Sequence, residues 1–266
     1  MDPVDDFKGV VSWRVLDPQT KYRTGDILLF SGSGWASLVI KTFTASIWSH
    51  IGMVCWVEMT YRDGRTKVDL FSFELGSCDY VDLMTGLVAN KRVRIVKLST
   101  IAKMYDLITV RKLNLPDRNA KEARAWARRF QKFAWTNRQK PFFDLNVMLS
   151  NHFISSGGAD VKQTTCSQLA ANMLLYMGVY KHDFDTSQVQ PGDFSSHKNS
   201  FPMRAGTPIL YGKEIIIYKD HAKIRRRLGW IILIIVVLVL IVIYILVRVY
   251  RRKKARREWK EKNMAI

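Results

Sequence analysis

The first 218 residues contain short apolar segments separated by turn residues, a pattern typical of a folded domain that contains strands. Five segments have the length and apolar content of strands: residues 25–30, 50–59, 66–75, 93–98 and 214–218. The second and third of these segments flank Asp63-Gly64, a dipeptide typical of a tight turn between antiparallel strands. The pattern therefore predicts an antiparallel sheet.

Three other segments are predicted to be helical, namely residues 37–43, 119–136 and 166–177. In the longest of them the apolar residues share one face, which consists of Ala123, Trp126, Phe130 and Phe133. The last of them begins at Cys166 and is stopped by Gly178. The predicted fold class is α+β, with an antiparallel sheet and a Cys-bearing helix.

The C-terminal part of the chain has a different composition. Residues 228–247 form a run of 20 residues without a charge, which matches the thickness of a bilayer core at about 1.5 Å rise per residue. This run predicts one transmembrane helix. The predicted domains are residues 1–218 as the folded domain, 219–227 as a basic juxtamembrane segment, 228–247 as the transmembrane helix and 248–266 as a basic tail.

The charge of the chain is strongly positive, with a formal net charge of +19 at pH 7. Residues 219–266 contribute 14 Lys or Arg and only three acidic residues, so much of the excess flanks the predicted membrane helix. Basic residues in this position are typical of attraction to anionic lipid head groups. Nucleic acid is disfavoured as a partner, because no aromatic-interleaved RNA-binding motif accompanies the charge.

The three cysteines, Cys55, Cys78 and Cys166, cannot all pair within one chain, and their spacing fits no zinc motif. The sequence predicts a free thiol in a reducing compartment and neither a metal nor a cofactor. The acidic start of the chain does not have the pattern of a secretory signal. The sequence predicts a single-pass membrane protein that is tail-anchored with its N-terminal domain in the cytosol, or that is a component of a virion membrane.

The position of Cys166 at a helix start is typical of a nucleophile, because unpaired helical N–H groups and a partial positive charge favour a thiolate. Such a thiolate needs a base, and His50 is the best candidate because it begins an apolar strand directly after Ser49. Glu74 ends the strand that is expected to pair with the His50 strand, so it is the candidate for orienting the imidazole. Asp144 is the alternative for that role.

The order of several short motifs resembles a known family: GDILLF, SHIGMV, FELGS, PFFDLN, TTCSQLAANML and QPGDF. They resemble, over about residues 20–200, the circularly permuted branch of the papain-like NlpC superfamily. That branch includes YiiX-like bacterial proteins, poxvirus proteins and, more distantly, lecithin:retinol acyltransferase-like enzymes. The resemblance implies a Cys-His-Glu site at the positions named above, with four supporting residues, namely Asp26, Ser49, Asp144 and Thr165.

The chemistry implied by this site is acyl transfer through a thioacyl-enzyme. The predicted function is a membrane-anchored thiol hydrolase or acyltransferase acting on an amide, ester or thioester, with a lipid, peptide or acylated protein as substrate. The alternative is a catalytically weak or inactive structural protein on the same scaffold, for example a viral envelope or virion component.

Overall fold

The computed structural model describes residues 10–16, 22–76, 78–113, 120–138, 165–179, 186, 189–197, 210–226, 229 and 236–248. Contacts between residues divide the chain into two units, Met1–Lys219 and Asp220–Ile266. The candidate residues for catalysis all belong to the first unit.

The described part of the first unit contains nine strands: β1 (Val10–Leu16), β2 (Ile27–Gly32), β3 (His50–Tyr61), β4 (Thr66–Gly76), β5 (Tyr80–Val81), β6 (Val88–Ala89), β7 (Arg92–Lys97), β8 (Tyr105–Leu113) and β9 (Leu210–Lys219). Seven of them form one sheet in the order β7-β4-β3-β2-β8-β9, with β1 paired to β3. Every pairing within this sheet is antiparallel. The short strands β5 and β6 pair with each other.

Four α-helices accompany the described strands: α1 (Trp35–Phe43), α2 (Leu98–Ala102), α3 (Ala120–Asn137) and α4 (Cys166–Tyr176). A short 3-10 helix follows at Pro191–Phe194. The helix α3 is amphipathic, as its apolar spacing predicted, and its buried positions include Trp126, Phe130 and Phe133.

One face of the sheet is covered by α3 and α4, and we call it the helix-covered face. Its residues lie in register across neighbouring strands, because Ile27 pairs with Met53, Met53 with Phe73, and Phe73 with Ile95. These side chains belong to one apolar cluster with residues of α3 and α4. Burial of this much apolar surface is the main stabilising contribution to the fold.

The other face of the sheet mixes apolar and polar side chains, and we call it the mixed face. Its apolar part is a smaller cluster formed by residues of several strands and of α2. The members of this cluster are Leu28, Phe30, Val54, Val96, Leu98, Ile101, Ala102, Ile108 and Val110. Its polar part lies in the same register, because Gly52 pairs with Glu74 and Glu74 pairs with Arg94. Residues that are directly opposite in a sheet point to the same side, so Glu74 and Arg94 share this face.

Most predicted elements are present with small shifts in their bounds. The hairpin predicted at Asp63-Gly64 is confirmed, since β3 and β4 pair around it and Gly64 has a positive φ of 83°. The predicted helix starting at Cys166 is also present. The strands β1, β5, β6 and β8 and the helix α2 were not predicted from the sequence.

The predicted transmembrane helix, and with it the single-pass, tail-anchored membrane location, is wrong. No helix among the described residues is long and apolar enough to span a membrane.

Candidate active site

Cys166 is the first residue of α4, and the local sequence explains why the helix begins there. Thr165 has an extended backbone, and its hydroxyl accepts a hydrogen bond from the Gln168 backbone N–H at 3.1 Å. This is the N-cap contact that Thr is suited to make. The Ser167 hydroxyl donates to the Val189 carbonyl at 2.5 Å and so ties the first turn to the following segment. The Cys166 thiol is thereby held at a helix N-terminus, partly exposed.

His50 begins β3, and its ring is enclosed by two aromatic side chains. The Phe30 ring lies 5.2 Å away between centroids, and the Tyr105 ring stacks almost parallel to the imidazole at 6.0 Å. The imidazole Nε2 lies 3.1 Å from Glu74 Oε2. The Cys166 thiol is close enough to the ring to raise the pKa of His50 through its charge and hydrogen bonding. Because Glu74 occupies Nε2, Nδ1 is the nitrogen available to the thiol.

Glu74 is almost completely buried, with 1% of its side chain exposed. Its second carboxylate oxygen, Oε1, accepts hydrogen bonds from Arg94 Nη2 at 2.9 Å and Nε at 3.3 Å. The Arg94 side chain is 2% exposed. A buried carboxylate is stable only when it is paired and hydrogen-bonded, and here both oxygens have partners.

The electrostatics of the site favour a charged imidazole. Burial lowers the pKa of His50, but the charge of Cys166 and the hydrogen bonds to Cys166 and Glu74 outweigh burial and raise that pKa to about 10. Burial raises the pKa of Glu74, but the hydrogen bond to His50 and the charges of His50 and Arg94 outweigh it, so the pKa is lowered. The arrangement at neutral pH is an imidazolium between the sulfur and an ionised carboxylate.

The structure brings Cys166, His50 and Glu74 together, and Ser49 lies beside them. The Ser49 hydroxyl accepts a hydrogen bond from the Gly32 N–H at 3.0 Å, which fixes the start of β3 against the end of β2. Thr165 acts as the helix cap described above. Ser49 therefore holds the backbone at His50, and Thr165 holds the backbone at Cys166.

Asp26 does not reach the site. Its carboxylate accepts hydrogen bonds from the backbone N–H groups of Arg23 at 2.7 Å and Leu113 at 3.0 Å. It lies four residues before Phe30 on the chain that enters β2, which corresponds to about 13 Å of extended strand. Asp26 therefore organises the turn at the far end of this strand, while Asp144 lies outside the described residues.

Sequence reasoning missed two residues of the site, Arg94 and Tyr105. An arginine in an apolar strand usually points to solvent, so the pattern of β7 gives no local sign that Arg94 is buried. The usable signal would have been the pairing of β4 with β7, which places Arg94 opposite Glu74. Tyr105 begins β8, a strand that was not predicted.

The other two thiols differ from Cys166 in their surroundings. Cys55 lies inside β3 on the helix-covered face and is completely buried, and that burial raises the pKa of its thiol. Cys78 is partly exposed and follows β4. Within the part of the chain that the structure describes, no group of three His, Cys, Asp or Glu side chains is arranged to hold a metal ion.

Comparisons with known proteins identify no family for this chain. No protein-family profile matches the sequence, and no curated protein does. Among solved structures, the chain is similar to the metalloprotein YiiX from Escherichia coli O157:H7, with a TM-score of 0.40 and 14% identity over 76% of this chain and 99% of that one. A similarity at this level carries no argument about function, so the permuted papain-like lineage stays a prediction.

Proposed function

We propose that this protein is a cysteine hydrolase or acyltransferase that uses Cys166 as nucleophile, His50 as general acid and base, and Glu74 to orient His50. The observation that carries the proposal is the imidazole of His50, which interacts with the thiol of Cys166 and is hydrogen-bonded to the buried carboxylate of Glu74. A nucleophile, a base and an orienting group within hydrogen-bond reach are the geometric signature of covalent acyl transfer.

The reaction begins from the ion pair in which the thiol proton has already passed to His50, so that a thiolate lies beside the imidazolium. The sulfur attacks the carbonyl carbon of the substrate and forms a C–S bond while the carbonyl π electrons move to oxygen. Collapse of this tetrahedral intermediate breaks the bond to the leaving group, which takes the proton from His50. Water or another acceptor then gives its proton to His50, attacks the thioester, and releases the sulfur.

The negative oxygen of the intermediate needs hydrogen-bond donors, and the start of α4 offers them. The first N–H groups of a helix have no partner within the helix. The Gln168 N–H is used by the Thr165 hydroxyl and the Leu169 N–H by the Thr165 carbonyl. The backbone N–H of Cys166 is the donor nearest the sulfur, and it serves as the proposed oxyanion contact.

The substrate class is proposed as an acyl carbonyl in an amide, ester or thioester. The sequence-based preference for lipids or lipidated proteins relied partly on a membrane anchor, which the structure contradicts. A screen should therefore cover p-nitrophenyl acyl esters of increasing chain length, acyl thioesters and short peptide amides.

Capture of the acyl-enzyme tests the proposal. Wild-type protein mixed with the reactive esters should release about one equivalent of nitrophenol in a burst and carry the acyl mass on Cys166. Cys166→Ala should lose both signals, whereas Cys78→Ala, the matched control, should keep them. A folded wild-type protein with neither turnover nor acyl-enzyme across the panel would favour the inactive scaffold.

A further inference from the structure

Arg94 lies in a compartment that is built around its guanidinium group. Nη1 donates to two backbone carbonyls, that of Ala89 at 2.8 Å and that of Cys78. The ring of Tyr80 stands over the guanidinium carbon, which is 5.2 Å from the ring centroid. These contacts tie the segment carrying β5 and β6 to the arginine.

The last residue of β4, Gly76, leaves the space that the guanidinium occupies. A Cβ atom added at Gly76 would stand 1.9 Å from Arg94 Nη2 and 2.4 Å from Cζ, closer than any real contact. A side chain at this position and the observed arginine conformation therefore exclude each other. Arg94 can therefore take its observed position only because residue 76 is a glycine.

The remaining donors of Arg94, Nη2 and Nε, both point at Glu74 Oε1. The other oxygen, Oε2, is left for His50 Nε2 at 3.1 Å. Two donors of one planar guanidinium converge on Oε1 and hold this oxygen by charge-assisted hydrogen bonds. The contact of Arg94 at Oε1 and that of His50 at Oε2 together fix the orientation of the carboxylate.

We propose that Arg94 is a positioning residue of the active site, which acts through Glu74 to aim the imidazole of His50 at Cys166. This inference rests on the proposed function and adds a fourth member to its hydrogen-bonded chain. The order of contacts is carbonyls of Cys78 and Ala89, then Arg94, Glu74, His50 and Cys166. Through the first two contacts, the segment that carries β5 and β6 supports the geometry of the site.

A purely structural arginine would make a different prediction. It would change stability when removed but would leave the pH dependence of Cys166 reactivity in the folded protein unchanged. A positioning residue changes that dependence, because a misdirected Glu74 no longer stabilises the imidazolium that forms with the thiolate. The pH profile of Cys166 alkylation by iodoacetamide separates the two roles and needs no substrate.

The experiment compares wild type with Arg94→Met and Arg94→Lys. In Arg94→Met we expect the acid limb of the pH profile of Cys166 alkylation to move upward by about one pH unit, which corresponds to about tenfold slower alkylation on that limb. The lysine variant keeps the charge but cannot direct two guanidinium donors at Oε1, so its shift should be the smaller one. Arg111→Met is the matched control, since it removes another buried guanidinium, one that donates to the Phe194 carbonyl at 2.9 Å.

Each outcome decides a separate point. An acid limb that is unchanged in folded Arg94→Met, or that moves equally in Arg111→Met, would overturn the positioning role. If Arg94→Met does not fold, Arg94→Lys decides by the same criterion, and failure of both to fold would show a structural role and overturn the proposal. A wild-type Cys166 that is no more reactive than Cys78 would instead refute the proposed function.

Discussion

The two faces of the central sheet differ in what they bury and therefore in what they do. The helix-covered face buries mainly apolar side chains under α3 and α4. The mixed face carries His50, Glu74 and Arg94 beside the smaller apolar cluster. The first face provides stability, and the second holds buried charges that cost free energy unless they are all paired.

The site lies where the two faces meet. Cys166 comes from the helix that covers one face and packs partly against that apolar cluster. The ring of His50 packs against Phe30, whose side chain belongs to the cluster of the other face. Cys166 and His50 therefore meet at the end of the sheet where β3 begins. The effect of a substitution on either face can be assigned to stability or to chemistry by measuring both the free energy of unfolding and the reactivity of Cys166.

The largest expected effect is loss of stability from the helix-covered face. Phe130 in α3 is completely buried, and its ring meets that of Phe73 edge-on at 5.5 Å. We expect Phe130→Ala to lower the free energy of unfolding by about 3–5 kcal/mol, because it leaves a cavity in this apolar layer. Denaturant unfolding measures this loss, and the alkylation rate of Cys166 in the folded fraction should stay within about twofold of wild type, because the change lies outside the polar network. A much larger change in that rate would show that the two faces are coupled.

The next effect is loss of activity from the mixed face with the fold kept. In Glu74→Gln the amide retains an acceptor for Arg94 but presents a donor to His50, which favours the wrong tautomer and removes the charge that stabilises the imidazolium. We expect turnover to fall by about 100-fold or more. Glu58→Gln, which removes a carboxylate paired with Arg14 near the surface, is the control and should keep full activity. Equal activity of Glu74→Gln and Glu58→Gln would show that Glu74 is not part of the site.

A smaller effect is a pH dependence of stability that originates in the mixed face. The pKa of His50 is raised from its ordinary 6.5 to about 10 in the folded protein. Its contribution is therefore complete below about pH 6.5 and is lost as the pH rises toward about 10. We expect the free energy of unfolding of wild type to fall more steeply than that of His50→Gln over this range. Parallel curves for the two proteins, followed by urea unfolding, would contradict this.

The smallest effect concerns a polar residue on the mixed face that is outside the hydrogen-bonded chain. Ser72 is completely buried, and its hydroxyl makes no hydrogen bond among the described residues. Ser72→Ala removes an unsatisfied group, so we expect the free energy of unfolding to change by less than about 1 kcal/mol or to rise. Cys166 reactivity should not change. A large loss of stability or of Cys166 reactivity in Ser72→Ala would show that Ser72 belongs to the polar network of His50, Glu74 and Arg94.

The sequence predicted those parts of the molecule that depend on local pattern. The turn at Asp63-Gly64 predicted the β3–β4 hairpin, and the apolar spacing of residues 119–136 predicted α3. The strand β8 was missed because buried Asp106 and Arg111 interrupt its apolar character. The helix α2 has only five residues, which is too short for a periodic signal.

The site shows the same division between local and non-local information. Cys166 and His50 stand out because their residue types at a helix start and a strand start indicate thiol chemistry. Arg94 does not stand out, because its burial depends on the pairing of β4 with β7, strands separated in the chain by β5 and β6. Hydropathy alone predicted a membrane helix at residues 228–247, but no helix among the described residues is long and apolar enough to span a membrane.

The most direct test of the central claim is the alkylation rate of each cysteine with iodoacetamide near pH 6, read by peptide mass spectrometry. The account predicts that Cys166 reacts at least about tenfold faster than Cys78 and about 100-fold faster than the buried Cys55, because only Cys166 is paired with an imidazolium. His50→Ala should remove this preference while Cys78 keeps its own rate. Equal rates for Cys166 and Cys78 in wild type, or a Cys166 rate unaffected by His50→Ala, would contradict the account.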